Sequence, residues 1–127
     1  WIAPLPIQFD ATLPAYAEMM KMASHGQMAG GGNKAEYFAQ AQAIKDATMA
    51  HFILKNWQKG KTFLHFNGAY HSDNYESIVW YLKKQNPALK ILTISTVEQE
   101  NIESLSKENM NKADFTIATP QDITKTY

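Results

Sequence analysis

The richest run of chemistry-bearing side chains is Asn67-Gly68-Ala69-Tyr70-His71-Ser72-Asp73. It holds a phenol and an imidazole side by side, and both are ligands for a metal ion or a haem iron. Gly68 allows a tight turn or a close backbone approach. Asp73 is placed to cap a following helix, whose free N–H groups would then face the same crevice and favour an anionic group there. The plainer reading is a polar loop that only caps that helix. His65, just upstream, reads as a hydrogen-bonded core histidine that supports the site. His25 and His51 read as structural or exposed.

A second constellation is Gln42 and Asp46, one helical turn apart and flanked by Met49, Ala50 and Ile53. A Gln–Asp pair at this spacing hydrogen-bonds on a helix face. Among small and apolar neighbours it would be a partly buried pair that anchors a nearby loop; a solvated face and direct catalysis are the other readings. No two histidines have the HExxH spacing of a zinc site. Gly60-Lys61-Thr62 resembles the end of a phosphate loop, but Lys55 stands where the first glycine belongs. The expected element order is also reversed, with a helix before and a strand after.

These residues need elements to position them. Residues 2–7 form an apolar run broken by Pro4 and Pro6, an edge strand or an extended lead into a loop. Residues 15–23 read as a helix, with Pro14 in its first turn and Thr12 as its cap. Residues 25–34 hold four of the six glycines and read as a loop. Residues 35–57 are Ala-rich and free of Gly and Pro. Their apolar repeat through Phe38, Ala41, Ile44 and Phe52 predicts a long helix.

Residues 62–67 predict a strand covered on both faces, as in a parallel sheet. A helix over 73–84 follows, with Ile78, Val79, Tyr81 and Leu82 as its buried stripe and Pro87 beyond its end. Strands at 89–95 and 114–118 flank a polar surface helix at 97–110. The expected organisation is thus one α/β unit over 1–127, with a helical segment at 12–57 and a βαβαβ segment at 62–118. Its sheet is mainly parallel, with flanking helices. In such sheets ligands sit beyond the carboxyl ends of the strands, which is where residues 67–73 fall.

Composition narrows the functions. Twelve Lys, no Arg and twelve Asp plus Glu give zero formal charge. That is a poor footing for a nucleic-acid binder. No apolar run reaches the roughly 18 residues of a membrane span. Without Cys there is no disulfide, thiolate metal site or Cys nucleophile.

The segment Ala41-Gln42-Ala43-Ile44-Lys45-Asp46-Ala47-Thr48-Met49-Ala50, followed by Phe66-Asn67-Gly68-Ala69-Tyr70-His71, resembles the ChaN-like family of haem-binding uptake proteins. That family is grouped with the Tiki proteins and the erythromycin esterases. The resemblance spans about residues 35–95. It implies an α/β domain that binds haem for iron acquisition, in a lipoprotein of the bacterial cell envelope, with the 68–71 loop at the crevice. Tyr70 or His71 would then be the iron ligand, and Tyr37, Phe38, Met49 and Trp80 apolar neighbours of the ring.

Two other functions stay open. One is a metal-assisted hydrolase, esterase- or peptidase-like, that uses a divalent metal and His71. The other is a non-catalytic interaction domain. Family members are about twice this length and carry a GExH-like motif on an earlier strand, and this sequence has no Gly-Glu pair. The expectation is therefore the C-terminal half of a larger α/β domain, which pairs with a missing N-terminal segment or self-associates.

Overall fold

The structure, a computed structural model, describes residues 1–24 and 33–124. The elements are α1 (Pro14–Ser24), α2 (Asn33–Asn56), 3-10 turns at Ala69–His71 and Asp73–Tyr75, and α3 (Ile78–Gln85). Strand β1 (Ile94–Gln99), a 3-10 turn at Lys107–Asn109 and strand β2 (Phe115–Pro120) complete the order. Together they make a small α/β fold, a two-stranded parallel sheet with flanking helices. Most of the glycine-rich stretch at 25–34, with His25, lies outside the described residues, and its last two positions open α2.

The scaffold of the site is α2. Strong helix formers without a breaker carry it through 24 residues. The sequence stripe through Ala41 and Ile44 is not its buried face, since both are exposed. The buried seam is Ala39, Ala43, Asp46, Ala47 and Ala50. Methyl-sized side chains let neighbouring helices approach closely, and two cores form along the seam. Toward its start, Ala39 and Ala43 pack with Tyr16 and Met19 of α1. Toward its end, Ala47 and Ala50 pack with Ala3 and with Ile78, Tyr81 and Leu82 of α3. Asp46 lies between the two.

The proline-broken segment at the chain start pairs in no strand. It lies on α2 instead, with the Ala3 amide donating to Thr48 Oγ1 at 3.1 Å, and the Tyr81 hydroxyl donates to the Gln8 carbonyl at 2.6 Å. Thr12 does not cap α1. Its amide and hydroxyl both donate to Asp10 Oδ1. The α1 terminus is capped from a distance, by Glu76 Oε2 accepting the Ala15 amide at 2.6 Å.

The helix expected over 73–84 begins only at Ile78, and Asp73 does not cap it; Ser77 stands at that position. Asn74, Tyr75 and Ser77 have φ of 58°, 61° and 53°, and left-handed residues cannot join a right-handed helix. The buried stripe Ile78, Val79, Tyr81 and Leu82 is as expected, and the helix ends at Gln85, before Pro87.

Residues 62–67 form no strand. A strand needs a neighbour to pair with and cover for its side chains. Here Leu64 is 72% and Phe66 86% exposed. The strand expected at 89–95 runs later, at Ile94–Gln99, and the helix expected over 97–110 is absent. Residues 97–99 belong instead to β1, which pairs with β2 in register Ile94↔Phe115 through Gln99↔Pro120. Past the strand, Gln99 takes over the backbone. Its Nε2 donates to the carbonyls of Asn101 and Ser104. Its Oε1 accepts from the Ser106 amide and Asn109 Nδ2. Side chains that bind the backbone in this way compete with helix formation.

The start of the sheet is clamped by Asp114. Its Oδ2 accepts the Thr93 amide at 2.7 Å and the Thr93 hydroxyl at 2.9 Å. These bonds hold its carboxyl below the ordinary carboxylate range. β1 turns Ser95, Val97 and Gln99 inward, while Ile94 and, on β2, Phe115 and Ile117 face outward.

Candidate functional site

Residues 68–71 close into a 3-10 turn through the His71 amide, which donates to the Gly68 carbonyl at 2.9 Å. Asn67 ties the loop down, with its Nδ2 donating to the Gly68 carbonyl and to Ser72 Oγ. Gly68 sits at φ −68°, ψ 147°, a conformation open to any residue. An added Cβ there would meet only His71 Cδ2, at 3.9 Å. The turn itself therefore does not require glycine.

The turn brings His71 against α2. His71 Nδ1 lies 2.5 Å from Asp46 Oδ1. The other carboxylate oxygen of Asp46 accepts the Tyr16 hydroxyl at 2.7 Å. Asp46 is 1% exposed and Tyr16 fully buried. Burial pushes the Asp46 carboxyl above its ordinary value, and the hydrogen bonds from Tyr16 and His71 pull it part of the way back. Burial, with the Asp46 bond and charge, pushes the Tyr16 phenol up as well. Tyr16 thus stays a donor, and Asp46 is left to accept on both oxygens.

The consequence falls on His71. A neutral imidazole carries one N–H, and a carboxylate at Nδ1 keeps the proton there. Nε2 is left with its lone pair. Among the described residues it has no hydrogen-bond partner, and it is not one of the buried unpartnered atoms. His71 lines a cavity of about 320 Å³, together with Met19, Met22, Ala23, Phe38, Gln42 and Tyr70. Its walls are mostly apolar. The volume is at the low end of the roughly 300–1,000 Å³ of ligand sites.

The structure thus brings Gln42, Tyr70 and His71 to one cavity, with Asp46 behind His71. Gln42 does not bond Asp46; its Oε1 accepts from Lys45 Nζ at 3.4 Å. Asn67, Gly68 and Asp73 frame the loop outside the lining. Asp73 is half-buried, and its Oδ1 has no partner among the described residues. His65 is half-buried, and its Nε2 likewise has none. Burial pushes the His65 pKa down. Of the apolar neighbours, Phe38 lines the cavity, Tyr37 is largely exposed, and Met49 and Trp80 pack in the other core. No group of three His, Asp or Glu side chains among the described residues is placed to hold a free metal ion.

Tyr16 is the functional residue that sequence reasoning missed. Its only signal was an aromatic with a polar tip in the first expected helix, thirty positions before its partner.

Fold and site define a class: a small α/β module that presents a carboxylate-anchored imidazole to an apolar cavity. The sequence model of the family described as "Haem-binding uptake, Tiki superfamily, ChaN" matches residues 1–82. The chain belongs to this family. The match starts well before the motifs at 41–50 and 66–71 and takes in Tyr16, Asp46 and His71. Searches of curated proteins and of solved structures found no match. No helix among the described residues is long and apolar enough to cross a membrane.

Proposed function

We propose that this protein binds haem in the cavity between α1, α2 and the 69–71 turn, with His71 Nε2 as the iron ligand. The observation that carries the reading is the 2.5 Å contact from His71 Nδ1 to a buried carboxylate. Metal-ligating histidines characteristically donate their second N–H to such a group. The donor set and the walls fit a porphyrin. An imidazole faces the cavity, Met19, Met22 and Phe38 offer apolar contact, and Tyr70 adds an aromatic edge. Lys45, bonded to Gln42, supplies a cation beside the lining for a porphyrin carboxylate. Haem bound there would supply an iron centre that His71 would hold.

In this reading the protein serves haem and iron uptake as a lipoprotein of the bacterial cell envelope. Support comes from the uptake role that the family's description names. The outward-facing Ile94, Phe115 and Ile117 are consistent with further chain, or a second copy, covering the sheet.

Titration with haemin, followed by absorbance, tests the proposal. The parent is expected to give a saturable Soret shift, His71→Ala to lose it and Tyr70→Phe to keep it. A folded parent without a shift refutes haem binding. Loss in Tyr70→Phe alone moves the ligand to the phenol.

A further inference from the structure

We infer that Asp46 makes this site selective for ferric over ferrous haem, by acting through His71 on the iron. The inference rests on the haem-binding reading above and adds an oxidation-state preference to it.

The argument starts from Asp46 as a buried group. A carboxylate held in the low-dielectric seam of α2 is a cost to the fold unless it serves a partner. Its two partners differ. Tyr16 is a neutral donor in the core and fixes one oxygen. His71 is partly exposed, lines the cavity and receives the other oxygen at 2.5 Å. A bond between an imidazole N–H and a carboxylate is charge-assisted. A carboxylate that accepts from Nδ1–H pushes electron density into the ring, so the imidazole donates more strongly to whatever Nε2 binds.

A stronger donor with a negative group behind it favours the more highly charged metal. Ferric haem carries one more positive charge at iron than ferrous haem. The charge of Asp46 is felt strongly because the seam excludes water. Hydrogen bonding to an axial ligand is among the levers by which a protein sets a haem potential. Tyr16 is the positioning residue of this device. It holds Asp46 in place and keeps its second oxygen occupied.

Linkage makes the preference measurable. The ratio of ferric to ferrous affinity sets the midpoint potential of the bound haem, and for one electron a tenfold ratio is about 59 mV. The experiment is potentiometry on haem-loaded parent and Asp46→Asn protein, with metal-free protoporphyrin IX as a binding control. Asn keeps the shape and removes the charge. The expected result is a rise in potential equal to at least a tenfold loss of ferric preference, with protoporphyrin affinity unchanged. Equal potentials in two proteins that both bind haemin overturn the inference and leave haem binding intact. Failure of the parent to bind haemin overturns the haem-binding reading instead.

A second arm does not depend on altering Asp46. In His71→Gly, imidazole or 1-methylimidazole is supplied as the ligand. Only imidazole has an N–H to give to Asp46. The expected potential is lower with imidazole, and equal potentials with the two bases again overturn the inference.

Discussion

Replacing Asp46 with asparagine tests the reasoning about the site at its centre. The amide takes one of two orientations. With its N–H toward His71, it forces the ring proton onto Nε2 and removes the lone pair there. With its carbonyl toward His71, the tautomer survives but a neutral acceptor replaces a charged one. A hydrogen bond to a charged group contributes about 1.5–3 kcal/mol and a neutral one about 0.5–1.5. The second orientation therefore loses on the order of 1–1.5 kcal/mol, or roughly tenfold in affinity. The first approaches the hundredfold loss at the upper end for partners of metal ligands, about 10–100-fold. Haemin affinity, measured by absorbance titration, is expected to fall by about 10–100-fold. Far-UV circular dichroism should be unchanged, because Asn preserves a partner for Tyr16 and removes a buried charge. An affinity within twofold of the parent, in a folded variant, would refute the claim that Asp46 sets the state of His71.

Tyr16→Phe keeps the ring in the core and leaves Asp46 Oδ2 without its donor; a loss of about 1–3 kcal/mol is expected in urea unfolding. Glu76→Ala uncaps α1 from across the chain, with an expected loss of about 0.5–2 kcal/mol; an unchanged thermal midpoint would show the contact to be idle. Asp114 has a folded pKa below its unfolded value, so it adds stability above the ordinary carboxylate range and loses it as pH falls through the folded value. Asp114→Asn should therefore flatten the decline of the melting temperature on acidification below about pH 5. Parallel declines in parent and variant would count against the clamp.

Local rules reached the elements whose stability is local. α2 was legible because 24 residues lack any breaker, and α3 because its apolar stripe repeats at helical spacing. The parallel sheet was legible as well, but the 67–73 loop was expected beyond the carboxyl end of a strand at 62–67, and that strand does not form. What failed depended on distance or on side chains. Residues 62–67 have the composition of a strand but no neighbour to pair with among the described residues. The segment after residue 99 has helical periodicity, but Gln99 claims its backbone groups. Asp46 read as half of a helix-face pair with Gln42. Its partners come instead from positions 25 and 30 residues away, which no helical spacing encodes. The three left-handed residues before α3 likewise have no sequence signal, apart from the tolerance of Asn74 for that conformation.

The two-stranded sheet has a consequence for how the molecule comes apart. The helices pack extensively on one another and the strands on each other, while helix and sheet share little. Proteins open in cooperative units of unequal free energy, and a strand pair with apolar side chains turned to water is a weak unit. Tyr16, Asp46 and His71 all belong to the helical unit. The sheet therefore opens first, without dismantling the imidazole's anchor. Ligand bound at His71 would stabilise the helices by mass action and leave the strands almost untouched.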